Sequence, residues 1–306
     1  VFFSPANKTT HAKPQAAHST SMDSPLNQRR RTTQGVLILT LTTFIWGTTF
    51  VVVKLTLKGF PAGALVFARF AIAAAIFTPF LRLGHKLWLA AFELGVLLWI
   101  GFATQTIGLR YTSVNRSAFI TSMHVIFVPA FAGLLGRGSR PAVWIAAALA
   151  LLGVGLLSHD GSPPNVGDLW TAGCAIAWAI YITRLETFAQ ALPSKPLTAA
   201  HLWVVAVLSA LWTWRSPEAI GAIPWLAILY LGVAATAVTT WFQLLGQRWV
   251  SAPRAAVLYT MEPVWAALFG WIVLRERLGL TGWIGASLII LAALLTQVRS
   301  GRKQTA

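Results

Sequence analysis

Ten apolar runs follow one another along this chain of 306 residues. Each run is close to the roughly 20 residues that a helix needs to cross a bilayer, and too long for a barrel strand of about 9–11 alternating residues. The breaks between runs are short and polar and leave no room for a soluble domain. We therefore predict an all-α polytopic membrane protein with ten transmembrane helices, at about 35–55, 62–80, 87–107, 112–134, 141–158, 168–188, 197–214, 222–245, 252–272 and 279–297.

Composition agrees with a chain that is solvated by lipid. Hydrophobic residues make up 56% of the chain and charged residues 10%, whereas soluble domains carry about 25% charged residues. The net charge of +16 is compatible with a nucleic-acid partner, but such a partner needs an exposed basic face. Lysine and arginine stand instead in short gaps between apolar runs. We predict the lipid bilayer as a partner and exclude nucleic acid.

The chain contains an internal repeat. Residues are identical at one constant spacing in the pairs Gly108/Gly246, Arg110/Arg248, Ser113/Ser251, Arg116/Arg254, Ala118/Ala256 and Met123/Met261. Nearly the same spacing relates Gly35 to Gly167 and Trp46 to Trp178. We predict two five-helix repeats, at 35–158 and 166–297, flanked by a disordered cytoplasmic tail at 1–34 and a cytoplasmic tail at 298–306. Because five is odd, the repeats must be inverted relative to each other, as in many secondary transporters.

Orientation follows from the basic residues, which favour the cytoplasmic side. With both termini inside, the cytoplasmic side carries sixteen of the 24 lysines and arginines, the outer side carries seven, and Arg69 lies within the second helix. We predict a multi-pass protein of the inner, or plasma, membrane with both termini in the cytoplasm.

Two titratable residues are predicted near the midplane. Glu262 lies roughly ten residues into the ninth helix and His124 about twelve into the fourth, which places both about 15 Å deep at 1.5 Å of rise per residue. The repeat makes them equivalent, as it does Trp46 and Trp178. Polar groups at this depth are costly and usually functional. One interpretation is a central substrate site with an aromatic lining; the other is packing and ordinary interhelical hydrogen bonds.

Further candidates are weaker. Pro129 and Pro263 each remove a helical hydrogen bond and leave a carbonyl that can face a cavity. Arg69 and Glu93 enter from opposite faces, so a direct pair is not expected, and Arg69 can extend outward to the interface. The repeat mates Gln105 and Gln243 fit hairpin hydrogen bonds or substrate contact. The remaining candidates for lining a site are Thr49, Tyr181, Tyr259 and Met261.

No motif predicts an enzyme. The sequence has no P-loop, no HExxH, no GxSxG and no paired metal-ligand pattern. The single cysteine, Cys174, excludes an intrachain disulfide. We therefore predict no catalytic residues, no metal and no cofactor.

At this point the chain resembles the drug/metabolite transporter superfamily, specifically its ten-helix EamA type. The resemblance covers about residues 35–297 and rests on Trp46-Gly47-Thr48-Thr49-Phe50 with Lys54, Phe67-Ala68-Arg69-Phe70, Gly108-Leu109-Arg110-Tyr111, Glu262-Pro263-Val264, Glu276 and Gly282-Trp283-Ile284-Gly285. The first half departs from the pattern, because Gly138 replaces the acidic residue that usually follows the fourth helix.

The resemblance implies a secondary transporter whose cavity is enclosed by helices 1, 3, 4, 6, 8 and 9. The leading hypothesis is an exporter of a small-molecule substrate, a metabolite such as an amino acid, by alternating access, with proton coupling and passive exchange both open. A cationic multidrug pump is a second hypothesis, and a membrane enzyme or receptor belongs to another class. The oligomeric state stays open and is compatible with a monomer.

Overall fold

The computed structural model describes residues 25–158, 163–219, 221–274 and 279–298. Every regular element in these ranges is helical. The α-helices are α1 (Pro25–Gly47), α2 (Thr49–Thr56), α3 (Ala62–Phe77), α4 (His85–Tyr111), α5 (Val114–Ser122), α6 (His124–Leu134), α7 (Pro141–Ser158), α8 (Val166–Ala191), α9 (Ser194–Arg215), α10 (Trp225–Gly232), α11 (Thr239–Gln247), α12 (Ala252–Tyr259), α13 (Glu262–Leu274) and α14 (Leu280–Val298). A 3₁₀ turn at Thr78–Phe80 follows α3, and a π-helical segment at Val233–Val238 joins α10 to α11.

These helices form ten apolar spans, numbered 1 to 10 along the chain. Span 1 comprises α1 and α2, span 4 comprises α5 and α6, span 8 runs from α10 to α11, and span 9 comprises α12 and α13; each other span is one helix. Within the described ranges, seven helical stretches are long and apolar enough to cross a membrane, and Pro141–Leu157 and Leu280–Thr296 are shorter apolar helices. The protein is thus an all-α polytopic membrane protein.

The first helix begins earlier than the sequence pattern predicts. α1 starts at Pro25, so residues 25–34 are helical, and the prediction of a disordered tail across 1–34 is wrong for them. Proline suits the first position of a helix, and the Arg-rich stretch after it contains good helix formers and no breaker. Residues 1–24, most of the predicted tail at 298–306 and Glu276 lie outside the described residues.

Capping interactions fix the start of span 6. Asn165 accepts a hydrogen bond from the Gly167 amide at 2.8 Å, and Asp168 accepts one from the Asn165 amide at 2.8 Å. This reciprocal capping box satisfies amides that have no partner within the helix. It also holds Asp168 at the end of the bundle opposite the described termini.

Four spans depart from α-helical geometry near their middles. Span 1 is interrupted at Thr48, span 4 at Met123 and span 9 at Thr260 and Met261, while span 8 contains the π-helical segment. Met123 and Met261 are repeat mates, so spans 4 and 9 break at equivalent positions. Such breaks leave backbone groups without helical partners, and at membrane depth they are tolerated where protein or a cavity surrounds them.

Glycines allow the two halves of the chain to pack backbone against backbone. A Cβ added at Gly35 in span 1 would lie 3.0 Å from the Gly246 carbonyl oxygen in span 8. A Cβ at Gly167 in span 6 would lie 2.7 Å from the Gly108 carbonyl oxygen in span 3. Because the repeat relates span 1 to span 6 and span 3 to span 8, these two contacts are the same contact made twice.

The contact between spans 5 and 10 generates a stability prediction. A Cβ at Gly153 would lie 2.6 Å from the Gly285 carbonyl oxygen, whereas a Cβ at Gly155, on the same helix, meets only the Phe119 ring at 3.4 Å. We expect Gly153→Ala to destabilise the protein by about 1–3 kcal/mol, because it overpacks a backbone contact, and Gly155→Ala to be nearly neutral. Thermal unfolding of the purified protein in detergent, followed by tryptophan fluorescence, measures both. Equal melting temperatures for the two variants would contradict the close contact.

Candidate functional site

A cavity lies where spans 1, 4 and 9 are interrupted. Its walls come from spans 1, 2, 3, 4, 6 and 9. The lining residues are Trp46, Thr49, Phe50, Val53, Arg69, Phe102, Gln105, Thr106, Leu109, Thr121, His124, Trp178, Ile182, Tyr259 and Glu262. The resemblance implied a wall from span 8, but none of these residues belongs to it; span 2 contributes Arg69 instead.

An aromatic cluster forms one wall of the cavity. The ring centroids of Trp46 and Trp178 are 5.4 Å apart, and those of Trp46 and Tyr259 are 5.6 Å apart. Tyr181 packs behind Trp178 at 5.4 Å with its ring perpendicular. The sequence predicted that Trp46 and Trp178 lie at one level as repeat mates, and the structure brings them into contact. The faces of these aromatic rings give the cavity a flat, largely apolar wall for a ligand to pack against.

The cavity extends toward the end of the bundle that is opposite the described termini. Val53 and Leu109, near the far ends of spans 1 and 3, belong to its lining. On the side of the termini, Gln247 donates a hydrogen bond to the Ile182 carbonyl at 2.9 Å, and Tyr259 donates one to Gln247 at 3.3 Å. These bonds join spans 6, 8 and 9 on that side of the aromatic cluster.

Glu262 is the only described carboxylate in the lining. It is the first residue of α13, and its side chain is half-buried, with its accessible surface in the cavity. No described residue forms a hydrogen bond or an ion pair with this carboxyl group, so it is available to a ligand or a proton. Trp46, Trp178 and Tyr259 line the same cavity.

His124 is the repeat mate of Glu262 and lines the same cavity, as the sequence predicted for a shared level. Its side chain is 6% exposed. The Nδ1 atom lies 2.7 Å from the Thr121 carbonyl oxygen, and the ring centroid lies 6.4 Å from that of Tyr259. The bond to Thr121 orients the ring from the last turn of α5, so the break in span 4 positions the imidazole.

Arg69 also lines the cavity, which contradicts the expectation that it extends outward to the interface. Its side chain is 4% exposed. The Nε atom donates to Thr236 Oγ1 at 2.8 Å, and Nη2 donates to the Ala235 carbonyl at 3.1 Å. Both acceptors belong to the π-helical segment, whose widened turn presents them to span 2. Glu93 does not pair with Arg69 but with Arg184.

Gln105 and Thr49 lie in the lining as well. Gln105 donates to Thr121 at 3.4 Å, and Thr49 donates to the Trp46 carbonyl at 2.9 Å beside the break in span 1. Gln105 therefore links span 3 to span 4 at the cavity, whereas its repeat mate Gln243 is buried outside the lining. Gln105 and Gln243 therefore have different surroundings although they occupy equivalent positions in the repeat.

The remaining predicted residues lie outside the cavity lining. Tyr181 is fully buried behind Trp178, and Met261 packs against the core at the break in span 9. Glu93 lies near the end of the bundle that holds the termini. Pro129 lies within α6, and Pro263 is the second residue of α13, directly after Glu262. Their contribution is to packing and to helix shape.

Sequence reasoning missed seven lining residues: Phe50, Val53, Phe102, Thr106, Leu109, Thr121 and Ile182. For most of them, the sequence contains a helical spacing that could have predicted their position. Phe102, Thr106 and Leu109 share one helical face with Gln105, and Val53 shares one with Trp46 and Thr49, because residues three, four and seven apart lie on the same side of a helix. The apolar ones among them looked like core residues.

Ion pairs lie at both ends of the bundle, away from the cavity. Arg184 pairs with Glu93 at the end that holds the described termini. At the other end, Arg116 pairs with Asp168 at 2.9 Å, and Arg110 pairs with Glu218 at 2.8 Å. Among the described residues, no three His, Cys, Asp or Glu side chains come together in a way that could hold a metal ion.

Comparison with known proteins places this chain in a family. The model of the EamA-like transporter family matches residues 33–159 and again residues 165–298. An uncharacterized transporter of Archaeoglobus fulgidus is 31% identical over 266 residues, covering 85% of each chain. The uncharacterized inner membrane transporter YedA of Escherichia coli K12 is 26% identical over 273 residues, covering 82% of this chain and 86% of that one.

The fold is shared with a solved crystal structure. That structure superposes with a TM-score of 0.74 at 20% sequence identity and covers 89% of this chain and 99% of its own. Because the family model matches both halves and the relatives extend over most of the chain, the likeness is not confined to one motif. This chain belongs to the EamA-like transporter family.

Proposed function

We propose that this protein is a secondary transporter that exports small metabolites such as amino acids by alternating access through the central cavity. The observation that carries the proposal is the position of Glu262, His124 and Arg69 in one cavity at the level where three spans are interrupted. Interrupted helices that meet at the midplane are the usual construction of substrate sites in secondary transporters. No catalytic role is assigned to any residue, and no cofactor is needed.

We infer that both termini lie in the cytoplasm and that the protein resides in the inner membrane. The end that holds the described termini carries most of the described basic residues, which supports this orientation. The relative YedA is named an inner membrane transporter. The two family matches and the repeated glycine contacts support two inverted five-helix repeats, at about 35–158 and 166–297. In this orientation the cavity extends toward the outside.

Glu262 has two roles open to it. It can bind the ammonium group of a substrate, or it can carry a proton across the membrane. The titratable groups around it are His124 from span 4, Cys174 from span 6, Tyr259 from span 9 and Arg69 from span 2. An imidazole ring can accept and release a proton, so His124 is the second candidate for proton movement.

One observation favours a cationic drug as an alternative substrate. The cavity presents Glu262 beside Trp46, Trp178 and Tyr259, and aromatic faces attract organic cations. Arg69 opposes this alternative, because a second cation in the same cavity repels a substrate that is only positively charged. The geometry therefore supports a substrate with groups of both signs.

The proposed roles predict how transport responds to two substitutions. We expect Glu262→Gln to reduce flux by at least about tenfold, since it keeps the shape and removes a charge that a bound ammonium group needs. We expect His124→Ala to flatten the pH dependence of flux if the imidazole moves protons. Counterflow of labelled amino acids in proteoliposomes, with and without a proton gradient, measures both.

Glu218→Gln is the matched control, because that carboxylate pairs with Arg110 outside the cavity. It should leave flux and its pH profile intact. A fall in flux with an unchanged pH profile in both cavity variants supports binding and removes proton coupling. Wild-type flux and pH profile in both cavity variants would refute the assigned roles.

Topology can be tested with the chain's single cysteine removed. Cys174 is buried, and Cys174→Ala gives a background without thiols. We expect a membrane-impermeant maleimide to label Ser216→Cys in intact cells and to label Gly138→Cys only after permeabilisation, because these exposed positions follow spans 7 and 4. The opposite labelling pattern would reverse the proposed orientation.

A further inference from the structure

We propose that Arg69 binds an anionic group, a carboxylate, of the transported molecule, so that the cavity accepts zwitterions. This inference rests on the proposed transport function and names the chemical class of its substrate. It assigns to Arg69 a direct contact with the ligand in addition to its contact with span 8.

Arg69 is a buried cation without a described counterion. A buried charge is strongly unfavourable unless it is paired and hydrogen-bonded. Of the described carboxylates, Glu93 pairs with Arg184, Asp168 with Arg116 and Glu218 with Arg110. Glu186 accepts a hydrogen bond from the Ala252 amide at 3.0 Å. Glu262 lines the same cavity as Arg69 but forms no ion pair with it within the described part of the chain.

The guanidinium group is held in place on one edge only. A guanidinium group has five N–H donors, and span 8 accepts two of them, from Nε and Nη2. The Phe102 ring lies 4.6 Å from the Cζ atom and covers part of the group. The Nη1 donors and the second Nη2 donor have no partner among the described residues. Two parallel N–H groups at the tip of a guanidinium match the two oxygens of a carboxylate.

The same cavity holds a second titratable group that a zwitterion can contact. Glu262 and Arg69 offer a carboxyl group and a guanidinium group to one space without contacting each other. A molecule that carries an ammonium group and a carboxylate neutralises both, whereas an amine or an acid alone leaves one charge buried and unpaired. The aromatic wall formed by Trp46, Trp178 and Tyr259 suits an apolar side chain. Apolar α-amino acids have this combination of groups.

A purely structural role for Arg69 makes a different prediction. Its two hydrogen bonds clamp span 2 to the π-helical segment of span 8, and this clamp alone could explain the residue. Thr236 is buried, accepts from Arg69 and donates to the Leu231 carbonyl at 2.7 Å, but it does not line the cavity. Thr236→Val therefore weakens the clamp without removing the charge, and separates the two roles.

The test compares acids with their amides. Leucine, phenylalanine and tryptophan, and the corresponding amino-acid amides, are titrated onto the full-length protein in nanodiscs, and binding is followed by thermal stabilisation. The amide keeps the ammonium group and the side chain but loses the anion. Because hydrogen bonds between charged groups are strong, we expect wild type to prefer at least one acid over its amide by about 10-fold to 100-fold. Arg69→Gln should abolish this preference, Arg69→Lys should retain part of it, and Thr236→Val should retain it fully.

Three outcomes overturn the proposal: equal binding of acids and amides to wild type, an unchanged preference in Arg69→Gln, or no binding of any of the three acids. Counterflow of the amides separates this failure from failure of the proposed function. If the protein transports amides in a Glu262-dependent way and does not prefer acids, the proposed role of Arg69 is refuted. The protein would then be a transporter of cations. Absence of flux for acids, amides and amines alike would refute the proposed function as well.

Discussion

Water is absent from the hydrocarbon core of a bilayer, so each backbone N–H and C=O group there needs a partner inside the protein. This constraint makes every described span helical and confines irregular backbone to places that protein or a cavity surrounds. Spans 1, 4 and 9 break at Thr48, at Met123 and at Thr260–Met261. Those breaks border one cavity, and each is followed or preceded by a polar or aromatic lining residue. The position of the site therefore depends on where the backbone is allowed to be irregular.

The cost of burying charge away from water also explains where most of the charged residues lie. The ion pairs among described residues lie toward the ends of the spans, where lipid headgroups and water reduce the cost of burying a charge. Glu262 and Arg69, the acidic and basic side chains in the cavity lining, are left without a described ionic partner. Keeping a buried charge unpaired is costly, and a ligand in the proposed site would supply the missing partner.

The pattern of apolar residues and the internal repeat predicted the helical spans and the depth of the site in the membrane. Run length alone predicts the spans, and the repeat places Glu262, His124, Trp46 and Trp178 together, as the structure finds them. It could not predict the inward position of Arg69, because that depends on the π-helical segment, and a one-residue expansion of a helix leaves no periodic signal. Nor could it predict that Trp178 lines the cavity while Tyr181 packs behind it. The two side chains lie close together on one helical face, so a small rotation of the helix decides which ring reaches the cavity.

The glycine contacts also bear on how such a molecule can move. Gly35 joins span 1 to span 8, and Gly108 joins span 3 to span 6, so each contact ties a helix of one sequence half to a helix of the other. Backbone contacts this close have no flexible side chain between them to absorb sliding. Separating the two halves as rigid blocks would break both contacts. The unit that is repeated in the sequence is therefore not the unit that packs most closely, because the tight contacts join pairs of helices with one helix from each half.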